Sequence, residues 1–113
     1  MNILLWRASV QLNKAQELEQ FLNTTMLQLF KQYSGCNGVT FLQYGAQLQC
    51  LSYWQNKVDA QQLFQSDTFK NLTLLMLQHW IVAAEPAEFI DIQGGFITNE
   101  ALTNIACEHL YEA

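Results

Sequence analysis

Charge is what this chain has least of. Only 13% of its 113 residues are Asp, Glu, Lys or Arg, about half the share in an average soluble domain. Residues 1–70 hold five cations against four acids, net +1, whereas residues 71–113 hold six acids and no Lys or Arg, net −6. Without a basic stripe there is nothing to neutralise phosphates, so nucleic acid is not an expected partner. Polybasic docking on a membrane is excluded for the same reason. Cysteine is sparse and odd in number, at Cys36, Cys50 and Cys107, which suits reduced thiols in a core rather than a disulfide frame. The longest apolar run, Leu72 to Ala84, is broken by Gln78 and His79 and falls short of the ~20 residues that span a bilayer. The opening MNILLWRASV turns polar too soon for a secretory leader, so the expected location is cytoplasmic. No nucleophile elbow, phosphate loop, H-E-x-x-H or dinucleotide fingerprint occurs. Cys107 and His109 stand two apart on a helical pattern and point to different sides, so no metal site is expected there. No cofactor is expected either.

What remains is apolar residues, half of the total, and they are strongly patterned. A chain of this length forms one domain that buries on the order of 65% of its unfolded surface. Ile3 to Leu12 alternates Trp6, Ala8, Val10 and Leu12 against Leu5, Arg7, Ser9 and Gln11, the signature of a strand with unlike faces. Asn13, with Gln16 three residues on, predicts the cap of a first helix. At 100° per residue its stripe is Leu18, Phe21, Leu22, Thr25, Met26, Leu29 and Tyr33, which leaves Leu27 and Phe30 towards the other side. Gly35 and Gly38 mark a turn, after which strands Val39 to Tyr44 and Gln47 to Trp54 flank Gly45-Ala46 as a hairpin. A short helix from Lys57 to Gln65 is followed by a longer one from Ser66 or Asp67 to about Val82. Pro86 stops that region. Glu88 to Gln93 predicts a fourth strand, with Phe89 and Asp91 on one face and Ile90 and Ile92 on the other. Gly94-Gly95 is a hinge, and Thr98 caps a terminal helix with Leu102, Ile105, Ala106 and Leu110 on one side, expected to dock on the first helix.

The order β-α-β-β-α-β is the ferredoxin-like, α+β arrangement, a four-stranded antiparallel sheet with helices on one face. Alternating residues such as Leu5, Leu42 and Leu51 are then left uncovered on the sheet. The succession of strand, long helix, "SGCNG", the hairpin strand "QLQCLSYW" and "DAQQLFQSDTFKNL" resembles the antibiotic biosynthesis monooxygenase family. The resemblance covers about residues 3 to 93 and suggests a domain of residues 1–93 with a helical extension, 94–113. It implies a homodimer in which two sheets pack face to face as a dimeric α+β barrel. It also implies cofactor-independent oxidation of a small aromatic phenol or quinol, bound between sheet and helices. Haem degradation, known among relatives, is the other activity it brings to mind.

Carried over residue by residue, the family's strand-end Trp falls on Trp54. The Asn four residues before it and the Tyr six after it in polyketide-oxidising members are replaced by Cys50 and Ala60. A thiol poorly replaces an amide that binds a substrate carbonyl. The haem-degrading relatives have a His where Thr73 stands and a Trp where Leu63 stands, and threonine does not ligate haem iron. The candidate site therefore consists of Trp54, Tyr44 and Trp6 as substrate-binding aromatics and His79 as the catalytic base, since imidazole titrates near 6.5 and suits proton abstraction from a phenol. The alternative is a homodimeric ligand-binding or structural barrel without the chemistry, with the same aromatics packing the core.

Overall fold

The computed structural model describes residues 1–108. At its centre lies β1 (Asn2–Val10), paired antiparallel with β3 (Gln47–Trp54) on one side. On its other side β4 (Ile81–Ala84) and β5 (Glu88–Ile90) pair with successive parts of the same strand. The hairpin partner β2 (Cys36–Tyr44) completes an antiparallel sheet of order β2-β3-β1-β4. The two-residue turn at Gly45-Ala46 is as expected, and Gly45 takes the positive φ of 57° that it requires.

Alternation decides which sheet face is covered. Leu4, Trp6, Ala8 and Val10 are buried along β1, and Leu48, Cys50, Ser52 and Trp54 along β3. Their register, Leu4 opposite Ser52 and Trp6 opposite Cys50, places all of them on one face. There they meet Leu18, Phe30, Leu63 and Met76 of the helices. Those helices are α1 (Ala15–Phe21), α2 (Leu27–Lys31), α3 (Lys57–Gln65) and α4 (Asp67–His79). Ser66 joins the last two: its Oγ accepts from Phe69 N at 3.1 Å and donates to Leu63 O at 2.6 Å. Asn56 caps α3 by accepting from Asp59 N at 2.9 Å.

Four details depart from the sequence reading. First, Asn13 does not cap the first helix, because a 3₁₀ turn, Leu12–Lys14, leads into it and Lys14 N bonds to Gln11 O at 2.9 Å. Second, α1 and α2 are joined by a π-helical turn, Leu22–Met26. Its wider turn slips the stripe by part of a residue, so that Phe30 enters the core while Thr25 is exposed. Third, α4 ends at His79, and Ile81–Ala84 is a strand. Its ends are pinned to β1 by Gln11 N to Trp80 O and by Glu85 N to Arg7 O, both 2.9 Å. The expected fourth strand, Glu88 to Gln93, is shortened to β5 and preceded across Pro86 by the unexpected β4; β5 stops at Ile90 because Ile3, its partner, is nearly the first residue of β1. Fourth, α5 (Asn99–Glu108) is capped by Thr98, whose Oγ1 accepts from Ala101 N at 3.1 Å, but Leu102 and Ile105 on it are exposed. They find no cover on the first helix. Leu110, His109 and Glu112 lie outside the described residues.

Candidate functional site

The sheet has two faces of different character. On the face away from the helices, Leu5 lies opposite Leu51 and Ile3 opposite both Tyr53 and Ile90. Leu42 and Tyr44 extend this face along β2, and both are exposed. Leu5, Leu42 and Leu51 thus share one open face, bordered by Arg7, which pairs with Glu85 at 2.9 Å and Glu88 at 3.4 Å.

The covered face contains a cleft of about 670 Å³ where the edge of the sheet meets α3 and α4, within the ordinary range for small-molecule sites. Its floor is Leu4 and Trp6 of β1, and one wall is Phe64, Phe69 and Thr73. Ala84 to Ala87 and Phe89 form the other wall. The rings of Trp6 and Phe69 meet edge to face, with centroids 5.8 Å apart and planes at 81°, and Phe64 stacks tilted on Phe69 at 4.6 Å. Lys70 stands among these aromatics, and Lys57 Nζ lies 5.1 Å from the Phe89 centroid. Thr73 Oγ1 donates to Phe69 O at 2.9 Å, which leaves its lone pairs for a ligand.

Of the four residues singled out from sequence, this cleft receives one, Trp6. Trp54 is fully buried at 0% exposure, its ring against Phe30 and Tyr33 with centroids 6.2 Å away in each case. Its Nε1 donates to Ser52 Oγ at 2.7 Å, and that hydroxyl donates to Leu4 O at 3.3 Å. Tyr44 is 90% exposed at the far end of the hairpin and on the open face, since its partner Gln47 alternates with buried Leu48. His79 is exposed in the last turn of α4, beside Trp80 at 5.6 Å, and does not line the cleft. The structure therefore does not bring Trp54, Tyr44 and His79 together. Cys50 is buried beside the core and its thiol is pushed well above the ordinary range, first by burial and then by the nearby Cys36. Cys36, half-buried, is also raised by burial. Neither is an activated nucleophile. Among the described residues no group of His, Cys, Asp or Glu is placed to hold a metal ion, and no helix is long and apolar enough to cross a membrane.

This architecture has known counterparts. A solved antibiotic biosynthesis monooxygenase aligns over 83% of this chain and all of its own, with TM-score 0.64 and 10% identity. SnoaB, a cofactor-independent oxygenase from Streptomyces nogalater, aligns over 83% of this chain and 94% of its own, with TM-score 0.65 and 10% identity. The chain has the antibiotic biosynthesis monooxygenase fold. A conserved protein from Methanosarcina mazei shares it at TM-score 0.65 and 19% identity, over 81% of this chain and 92% of that one. No family model and no curated protein matches the sequence. At these identities the likeness concerns the monooxygenase fold alone.

Sequence reasoning missed Phe69, Phe89 and Lys70 as lining residues. The aromatics of "DAQQLFQSDTFKNL" do carry a signal, since Phe64 and Phe69 are five apart across the Ser66 corner. Phe89 carried none, because its place opposite Leu4 depends on the register between β1 and β5.

Proposed function

We propose that this protein binds a small planar aromatic molecule of phenol or quinol type in the cleft between sheet and helices, and that two copies pair through their open sheet faces. The observation that carries the first part is the open cleft whose lining gathers four aromatic rings, Trp6, Phe64, Phe69 and Phe89, with Gln61, Gln65, Lys70, Thr73 and Glu85 as its polar groups. The second part is supported by the half-buried Leu5 and Leu51 at the centre of a sheet face that no helix covers. Trp54 belongs to the core in this reading, and Trp6 takes its place as the aromatic that meets the ligand.

The test is a titration of the isotope-labelled protein with 2-naphthol, followed by amide shifts. Shifts concentrated at Phe69, Thr73 and Phe89 are expected, and Leu74→Trp, an exposed position on the cleft rim, should abolish them by filling the site. Shifts confined to the open face, or none at millimolar ligand, refute the site.

A second reading, oxygenation of that ligand without a cofactor, is favoured by the shared fold with an oxygenase of that kind. Of the residues lining the cleft only Lys70 and Glu85 are ionisable, and neither is an imidazole suited to proton abstraction near neutrality. The substrate would then have to enter already ionised. Oxygen uptake with an electron-rich polycyclic phenol, rising with pH through the phenol's own pKa, is the expected signature, and no uptake above the protein-free rate removes this reading.

A further inference from the structure

The charge of the ligand can be taken further, on the reading of the cleft as an aromatic site. Glu85 brings no free negative charge to it, because its Oε2 lies 2.9 Å from Arg7 Nε. Lys70 has no ion pair among the described residues. It is one position after Phe69 in α4 and lines the same cleft as Phe69 and Trp6, from the exposed side of the helix. Lys57, over the Phe89 ring at 5.1 Å, adds a second positive charge near the other wall. The chain as a whole has net charge −5, so this cleft is a local positive exception. Apolar walls exclude water from part of the field and strengthen it.

We infer that the cleft selects planar aromatic anions, carboxylates or phenolates, over their neutral analogues, and that Lys70 is the residue that makes this choice. The aromatic walls hold the ring and are indifferent to its substituent. The Lys70 ammonium, on a flexible stem at the rim, reaches the anionic group as a point charge with three donors. Because Lys70 remains exposed to solvent, the preference is modest, on the order of 5-fold, as for other solvent-exposed ion pairs.

Two ligands of nearly identical shape separate charge from ring, 2-naphthoate and 2-naphthamide. Calorimetric titration of the parent at low salt should give naphthoate the tighter binding by about 5-fold, narrowing in 0.5 M NaCl as screening rises. In Lys70→Met the naphthoate affinity should fall to that of the amide while amide affinity is unchanged, which also shows that the variant folds. Lys70→Arg should keep the preference. Equal binding of the two ligands to the parent, or a preference that survives Lys70→Met, overturns the role of Lys70 and leaves the aromatic site standing. Binding of neither ligand overturns the aromatic site itself, and the inference falls with it.

Discussion

Replacing Trp54 by Ala separates a core residue from a ligand wall. The indole is fully buried and in ring contact with Phe30 and Tyr33, and its Nε1–H is satisfied by Ser52 Oγ at 2.7 Å. Truncation removes the ring and leaves a cavity that the sheet, fixed by the β1–β3 ladder, cannot close. A loss of about 3–5 kcal/mol follows. The hydrogen bond is a small part of it, since Ser52 Oγ still donates to Leu4 O. Trp54→Phe, which keeps much of the packing and loses the N–H, should accordingly cost less than the Ala variant. At a slope of about 2 kcal/mol per molar urea, the Ala variant's midpoint should fall by roughly 1.5–2.5 M. A fall below about 0.5 M, with unchanged slope, would mean that the ring packs against nothing essential. Trp54 would then be free to wall a pocket, and its assignment to the core would be wrong.

Leu51→Glu, at the centre of the open face between Leu5 and Thr40, should convert a dimer into the 13.0 kDa monomer in sedimentation, since an interface of roughly 1,200–2,000 Å² does not tolerate an unpaired central charge; a parent that is already monomeric at micromolar concentration refutes the interface. Gly35 is buried with no room for a methyl group, because an added Cβ would collide with the Asp59 carboxylate. Gly35→Ala should cost about 1–3 kcal/mol, and much less in an Asp59→Ala background; a strictly additive double mutant rejects the contact. The raised folded-state pKa of Cys50 makes its contribution to stability complete below the unfolded thiol pKa of about 8.5 and progressively lost as pH rises above it, at up to about 1.36 kcal/mol per unit. Cys50→Ala should therefore flatten the alkaline decline of stability, and identical slopes in parent and variant refute this.

β1 and β3 were legible because each has one buried face and a two-residue period, so Trp6, Ala8 and Val10 announce their side without any tertiary information, whereas β4, four residues without that alternation, was read as the end of a helix. The caps Ser66 and Thr98 were legible for a similar local reason, whereas Asn56 was passed over as a cap. The first helix was read correctly as an element and wrongly as a surface. Its π turn at Leu22–Met26 depends on how the helix sits on the sheet, and 100° per residue cannot anticipate it. That one turn moves Phe30 from an expected outer patch to contact with Phe41, Trp54 and Phe64. The family resemblance placed the fold but directed the site towards Trp54. The residue types around Trp54, a serine hydroxyl and two aromatic rings, satisfy the indole completely and leave it nothing to offer a ligand.

The cleft itself arises from a single extra residue. Beyond a register shift at Ser9/Val10, Ser9 and Ala8 pair with Ala83 and Ala84, so partner numbers at this end of β4 sum to 92. Leu5, Leu4 and Ile3 pair with Glu88, Phe89 and Ile90, for which the sum is 93. One residue is therefore inserted between β4 and β5, in the stretch around Pro86. Proline lacks the N–H a continuous ladder would need there, so the edge strand breaks at the point where it tolerates a break best. A one-residue slip reverses which face a side chain occupies. Phe89, five residues after Ala84, would otherwise point to the opposite face; the insertion instead sets it opposite Leu4, on the helix-covered side. The same break, which follows the bond from Glu85 N to Arg7 O, lifts Pro86 and Ala87 off β1 and makes them a wall rather than a strand. The break at Pro86 thus supplies both the gap and the aromatic that faces it. It does so on the covered side only, leaving Ile3, Leu5 and Leu51 in a continuous row for a second copy to meet. In the proposed reading ligand and partner therefore take opposite faces of one sheet, and Glu85, which lines the cleft and pairs with Arg7 on the open face, is the residue that touches both.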